Sequence, residues 1–133
     1  MYKKSYTGFV LGLIAYLVCM FGLAFIPEVD ARLAIRLIML LTAWFMAILT
    51  FYIWRTERVY LYNGTSFEDA EAAGSERRKE FAWKHLRVFG MFALIQTVLA
   101  CAMHLFGWSS WIDFTIGTIG IVIAACGTIP FKL

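Results

Sequence analysis

The chain has 133 residues, enough for about one domain, and 62% of them are hydrophobic while only 16% are charged. Soluble domains average about 45–50% apolar and about 25% charged residues, and a soluble fold of this size could not bury so much apolar surface. The composition therefore excludes a water-soluble globular protein, and a net charge of +3 is too small to indicate nucleic acid binding. We expect residues 1–133 to form a single integral membrane domain.

Four apolar segments are long enough to cross a bilayer, since a helix needs about 20 apolar residues to span about 30 Å of hydrocarbon. The predicted spans are residues 6–26, 33–54, 86–106 and 111–131. Polar and apolar residues do not alternate within them, which favours helices over a β-barrel. The predicted fold class is an all-α membrane protein with four transmembrane helices arranged as two helical hairpins.

A polar link, residues 55–85, joins the second span to the third. The second helix is predicted to continue through Tyr62 and to end at Asn63-Gly64, because glycine suits a left-handed helix cap. Thr65 then begins a capping-box pattern, which predicts a short helix after it. The link is therefore predicted to be short, helical and cytoplasmic.

Lysine and arginine are distributed unequally between the two sides of the predicted spans. Ten of them lie on the side that holds the link and both termini, whereas only Arg32 and Arg36 lie on the other. Basic residues accumulate on the cytoplasmic side of membrane proteins, so we predict a plasma-membrane protein with both termini in the cytoplasm. Arg36 lies near the start of the second span and is expected to extend to the lipid headgroups.

Four residues in or beside the spans are candidates for a ligand site or a pathway, since polar groups are costly in lipid. Gln96 lies mid-span and is predicted to make an interhelical hydrogen bond or to contact a substrate or ion. Trp44 is predicted either to face lipid or to line a pocket opposite Gln96. His104 and Asp113 flank a tight turn, where they are either solvated at the interface or meet as a pair that senses pH, passes protons or binds a metal.

Two small-residue motifs are predicted to support helix packing, within one chain or between chains. They are Gly8 with Gly12 and Gly120 with Ala124, and small residues allow membrane helices to approach closely. A basic cluster beside the third span is expected to set the topology and to contact anionic lipid heads. Its members are Arg77, Arg78, Lys79, Lys84 and Arg87.

No catalytic residue, cofactor or metal site is predicted, because phosphate-binding loops, nucleophile motifs and sets of three or four metal ligands are absent from the sequence. The sequence favours a non-enzymatic accessory, immunity or regulatory membrane protein whose partners are the bilayer and another membrane protein. The alternative is a small homo-oligomeric transporter or channel. A third hypothesis is an enzyme that acts on lipid at the outer interface through His104 and Asp113.

Overall fold

The computed structural model of the chain describes residues 2–62 and 64–133. All regular structure in these residues is helical, and four of the helices are long and apolar enough to cross a membrane. The prediction of an all-helical membrane protein with four apolar helices is confirmed, while the pairing into two hairpins stays a prediction. The helices are α1 (Thr7–Gly22, continued by a 3₁₀ turn at Leu23–Phe25), α2 (Ala31–Thr56), α3 (Phe67–Ala72, after a 3₁₀ turn at Val59–Leu61), α4 (Gly74–Leu105) and α5 (Ser110–Thr128).

The residues that flank helix α2 explain where it begins and where it ends. Asp30 is its N-cap, and the Asp30 carboxylate accepts a hydrogen bond from the Leu33 amide at 2.7 Å. At the other end Glu57 adopts a left-handed conformation with φ of 59°, which terminates α2 at Thr56. The predicted continuation through Tyr62 is therefore wrong, and the predicted stop at Asn63 lies outside the described residues.

The segment after α2 contains the short helix α3. Its N-cap is Ser66 rather than the predicted Thr65, and the Ser66 hydroxyl accepts a hydrogen bond from the Asp69 amide at 3.0 Å. Gly74 then turns the chain into α4 with φ of 75°, a left-handed value that glycine adopts at little cost. Helix α4 is 32 residues long because it includes the polar stretch that precedes the predicted third span.

Helices α2, α4 and α5 pack on one another and form the core of the bundle. One buried cluster in the contact between α2 and α4 consists of three alanines, Ala43 and Ala47 on α2 and Ala93 on α4. Small side chains let helix backbones approach, which compensates for the weak hydrophobic driving force between helices in lipid. The motifs predicted from the sequence did not include these alanines.

Helix α1 is the least integrated of the long helices. None of its residues is buried, and its main packing partner is α2. The Tyr16 side chain makes the connection at mid-length: its hydroxyl lies 2.8 Å from the Thr42 hydroxyl, and its ring stacks on Phe45 with centroids 4.4 Å apart. Helix α1 therefore covers part of α2 without entering the core.

The start of the link is fixed to α4 by Glu57. Its carboxylate accepts hydrogen bonds from the Arg78 guanidinium at 2.9 Å and from the Ser75 hydroxyl at 2.8 Å. Arg78 also donates to the Ala70 carbonyl at 2.9 Å, so a single buried guanidinium contacts both the start of the link and α3. Burial opposes ionisation of Glu57, but the hydrogen bonds from Ser75 and Arg78 outweigh it, and the pKa of Glu57 lies below its ordinary 4.5.

The N-terminal segment is attached to the same part of the chain through two tyrosines. The Tyr2 hydroxyl donates to the Glu57 carbonyl at 2.5 Å, and burial raises the pKa of Tyr2 to about 12. The Tyr60 hydroxyl contacts the Ser5 backbone, donating to the carbonyl at 2.9 Å and accepting from the amide at 2.7 Å. The N-terminal segment, the link and α4 thus form one packed layer at this end of the bundle, which we call the link end.

Replacing Glu57 with glutamine is expected to loosen α3 from α4. Because the pKa of this carboxyl is lowered in the folded protein, its stabilising contribution is present above about pH 4.5 and is lost as pH falls through the lowered value. At pH 7 the α3 amides of Glu57→Gln should exchange hydrogen about tenfold faster than those of the wild type, which corresponds to the loss of one charge-assisted hydrogen bond. Hydrogen-exchange mass spectrometry measures this rate.

The control is Glu71→Gln, which removes an exposed acid from the same segment. It should leave exchange of α3 unchanged at pH 7. Acidification should increase wild-type exchange, corrected for the intrinsic rate, but should barely affect Glu57→Gln. Equal exchange in the two variants would show that Glu57 does not fix the link.

Candidate functional site

A group of hydrogen-bonded polar residues within the apolar helices is centred on Arg36 of α2, which is buried like Asp113, whereas His104 is exposed. Its Nε donates to Asp113 Oδ2 at 2.7 Å, its Nη1 contacts His104 Nδ1 at 3.1 Å, and its Nη2 donates to the Trp108 carbonyl at 3.1 Å. The side chains of Arg36 and Asp113 are 10% and 0% exposed. These four residues, which we call the Arg36 clasp, join α2, α4, α5 and the α4–α5 loop.

The α4–α5 loop brings the two partners of Arg36 together. His104 lies in the last turn of α4, and Gly107, with φ of 67°, allows the chain to reverse. Ser109 caps α5, which places Asp113 in the first turn of that helix. A carboxylate is favoured there by the positive end of the helix dipole. The acid and the imidazole therefore reach Arg36 from two helices.

Donor and acceptor roles in the clasp follow from the chemistry of arginine, which can only donate. His104 Nδ1 must therefore accept the hydrogen bond from Arg36, and the neutral ring carries its proton on Nε2. The other carboxylate oxygen, Asp113 Oδ1, is buried and has no hydrogen-bond partner in the described part of the chain.

The clasp changes two expectations from the sequence. His104 and Asp113 do come together, but through Arg36, and the described residues contain no direct hydrogen bond between them. Arg36 does not extend to the headgroups as expected: it is 8% exposed and turns into the bundle. The reason is that a buried carboxylate in an apolar surrounding is stabilised most by a cation that pairs with it.

Gln96 and Trp44 do not share a pocket. Gln96 is 2% exposed and lies against Gly117 of α5, where an added Cβ would be 3.3 Å from the Gln96 amide nitrogen. Trp44 is 41% exposed, and its indole nitrogen donates to the Thr97 hydroxyl at 3.0 Å. Thr97 in turn donates to the Ala93 carbonyl at 2.7 Å. Trp44 is thus held on the surface of the bundle, and Gln96 lies within it.

Two of the three glycines in the small-residue motifs lie beside aromatic rings of the same chain. A Cβ on Gly8 would overlap the Tyr52 ring of α2, and one on Gly120 would be 2.6 Å from the Phe92 ring of α4. An added Cβ on Gly12 would meet open space, whereas Ala124 is buried. Gly8 and Gly120 therefore accommodate neighbouring side chains inside this chain.

The five bases of the predicted lipid-contact cluster have different surroundings. Arg78 is buried and pairs with the Glu57 carboxylate, and the Lys79 ammonium lies 3.4 Å from the same carboxylate. Lys84 pairs at 2.8 Å with an exposed acid one turn earlier, and Arg77 donates to a backbone oxygen near the end of the chain at 3.3 Å. Arg87 is exposed and forms no ion pair with the described residues.

A cavity of about 1040 Å³ lies at the link end, between the core helices and the link. Apolar side chains line it, including Met46 of α2, Phe89 of α4 and Cys126 of α5. Polar groups, among them Asp69 and Lys132, also border it. Concave sites that combine apolar walls with polar side chains bind ligands in many proteins, and polar side chains form a large share of this lining. We call it the link-end cavity.

Two polar side chains in the wall of this cavity lie face to face. The His85 ring is 5% exposed and stacks on the Tyr62 ring with centroids 4.0 Å apart. His85 Nδ1 lies 3.0 Å from the Phe81 carbonyl, which can only accept, so Nδ1 carries a proton. Burial raises the pKa of Tyr62, whose hydroxyl has no partner in the described parts of the chain.

Reasoning from the sequence did not identify Arg36, Tyr62 or His85 as site residues. The sequence did contain a signal for Arg36. Arg36 and Asp113 carry opposite charges and lie within two predicted spans, close to the same side of the membrane. No comparable signal existed for Tyr62 and His85, which meet only because the link folds back on α4.

Within the described residues no group of three or more His, Cys, Asp or Glu side chains is placed to hold a metal ion. Comparison with protein-family models, curated proteins and solved structures found no match for this chain. The arrangement of the clasp and the cavity is therefore the basis for any functional inference.

Breaking the clasp from one side is expected to destabilise the bundle more than replacing both charges. Arg36→Met and Asp113→Leu each leave a buried charged group without its partner, and each should lower the free energy of unfolding by about 3 kcal/mol. The double variant Arg36→Met/Asp113→Leu removes both charges and should recover most of that loss. Unfolding in mixed micelles of mild and denaturing detergent measures the difference.

Arg32→Met is the matched control, because Arg32 is an exposed arginine near the same end of α2. It should change the free energy of unfolding by less than about 0.5 kcal/mol. If the double variant were as unstable as the sum of the single variants, the pair would not act as one unit.

Proposed function

We propose that the chain is a non-enzymatic accessory, immunity or regulatory membrane protein. It acts by contact with another membrane protein, which binds the polar surface of the link end. The observation that carries this proposal is the docking of the link by Glu57 and Arg78, whose ion pair is 2.9 Å long and largely buried. Insertion into a bilayer does not need an ordered polar segment outside the membrane. A fixed conformation of that segment lowers the entropic cost of binding a partner.

The exposed side of α1 supports the same proposal. Helix α1 has no buried residue, and its Gly12 leaves open space beside the backbone. Small residues of this kind allow another helix to approach closely in lipid. A partner would thus have two adjacent surfaces to bind, the open face of α1 within the membrane and the docked link outside it.

The charges of the clasp also favour a role without transport chemistry of its own. Arg36 and Asp113 compensate each other within hydrogen-bond distance, so the carboxylate is held by a fixed cation. Carriers that exchange protons rely on intramembrane acids that can release them. In the proposed function the clasp stabilises the bundle, and binding takes place elsewhere.

The proposed topology has two helical hairpins in the plasma membrane, with both termini and the link in the cytoplasm. Its support is the distribution of bases, ten on the side of the link and termini and two on the other. In this topology α1 and α2 form one hairpin and α4 and α5 the other, while α3 belongs to the cytoplasmic link.

Labelling of single cysteines tests this topology. In a background with Cys19, Cys101 and Cys126 replaced by serine, Ser109→Cys should react with an impermeant maleimide in intact cells. Glu71→Cys should react only after lysis. The reverse result would show the opposite orientation of the protein, and labelling of both sites in intact cells would contradict a crossing by α4.

Photo-cross-linking in cells tests the proposed role. A photoreactive residue at Glu71 in the link or at Gly12 in α1 should give one discrete adduct with another membrane protein. The control position is Val98, which is 69% exposed on α4 and lies on neither proposed surface. Adducts at Val98 of equal yield, or no adduct from Glu71 and Gly12, would contradict the accessory role.

The second candidate is a small homo-oligomeric transporter or channel, and the link-end cavity of about 1040 Å³ favours it. The cavity would serve as one half of a pathway, closed at the opposite end by the Arg36 clasp. The same cross-linking separates the two candidates. Adducts between copies of this chain, together with solute flux in proteoliposomes of the pure protein, would favour the transporter.

A further inference from the structure

A groove of about 570 Å³ lies on the outside of the bundle between α4 and α5, and Phe131 separates it from the link-end cavity by lining both. Its walls are mostly apolar and include Met91 of α4 and Ile116 and Ile123 of α5, and the buried Gln96 also lines it. From Lys84 to Leu99, which both line it, the groove follows α4 for fifteen residues, or about 22 Å. One leaflet with its headgroup region is about 20–22 Å thick, half of the bilayer value, so the groove matches one leaflet in length.

The shape of the groove depends on a contact between its two helices. The Phe92 ring of α4 lies against Gly120 of α5, where a Cβ would be 2.6 Å from the ring. Both residues line the groove, and any larger side chain at Gly120 would displace the ring. The glycine thus keeps the groove open beside the ring.

The charges at the groove are confined to its link end and are basic. Lys84 and Arg87 line it there, and no acidic residue of the described chain lines it. Lys84 is partly compensated by Glu80 at 2.8 Å, whereas Arg87 has no ion-pair partner among the described residues. Arg87 is therefore the free cation that meets an apolar groove at the level where the polar link begins.

We propose that this groove binds one anionic phospholipid from the leaflet at the link end. An acyl chain lies along the groove between α4 and α5, and the phosphate and its anionic headgroup lie against Arg87, with Lys84 as a second contact. A guanidinium binds a phosphate through paired hydrogen bonds, and an unpaired cation beside lipid distinguishes an anionic headgroup from a zwitterionic one.

Of the five bases that the sequence predicted to contact anionic lipid, only Lys84 and Arg87 line this groove. Arg78 and Lys79 are engaged by Glu57, and Arg77 contacts a backbone oxygen. A lipid at Arg87 leaves the docked link and the open face of α1 free, so this inference does not rest on the proposed accessory role.

Native mass spectrometry of the purified full chain tests the proposal. The protein is incubated with equal amounts of phosphatidylglycerol and phosphatidylcholine that carry the same acyl chains. One molecule of phosphatidylglycerol should remain bound per chain. Arg87→Gln should reduce the preference for phosphatidylglycerol about fivefold, the factor that corresponds to about 1 kcal/mol for one basic residue.

Arg55→Gln is the matched control, because it removes an exposed arginine at the same end of the bundle that does not line the groove. Its preference should equal that of the wild type. Ile123→Trp, which fills the groove, should lose both lipids, and Met91→Trp repeats the test if the first variant does not fold. Equal retention of the two lipids by the wild type, an equal loss in Arg55→Gln, or lipid retained by a folded groove-filling variant would overturn the proposal.

Discussion

A guanidinium and a carboxylate within apolar helices must pair or be excluded from the bundle, and in this chain Arg36 and Asp113 pair at 2.7 Å. The arrangement of three helices depends on that contact. It fixes the rotation of α2 toward α5, and the hydrogen bond to His104 extends the constraint to α4. Apolar side chains cannot impose this register by themselves, because they pack almost equally well against lipid and against one another.

The two ends of the bundle are built in different ways. At the clasp end, a short loop and a buried ion pair hold α4 and α5 to α2. At the link end, Glu57 and Arg78 fix a polar segment over a large cavity. Between them the alanines of α2 and α4 allow close packing. The clasp end is thus closed by charge pairing, and the link end presents a polar surface, a cavity and a basic residue beside an apolar groove.

This asymmetry connects the proposed role and the proposed lipid site. The side of the bundle that carries most of the basic residues also carries the docked link. A partner that binds there meets a surface that is already ordered, and an anionic lipid on Arg87 would lie at the edge of the same surface. The buried ion pair at the other end fixes how the helices that carry both are arranged.

Much of the fold could be predicted from the sequence, because the length of a hydrophobic run and the need to satisfy the backbone in lipid are local properties. Those properties predicted four apolar helices near their observed positions, and the short loop before α5 made a meeting of His104 and Asp113 one of two alternatives. The helix ends were less accurate, since the stop at Thr56 depends on the left-handed conformation of one glutamate.

By itself the sequence determined that the chain is a membrane protein, how many apolar helices it has and which polar residues lie within its apolar segments. Only the tertiary structure decided how those residues combine. It turned Arg36 inward to Asp113, separated Trp44 from Gln96, placed His85 against Tyr62 and left Arg87 beside a groove. The physical reason is that hydropathy is a property of each segment, whereas an ion pair, a stack or a groove depends on how the segments rotate against one another. That rotation is set by contacts between residues as far apart in sequence as Arg36 and Asp113.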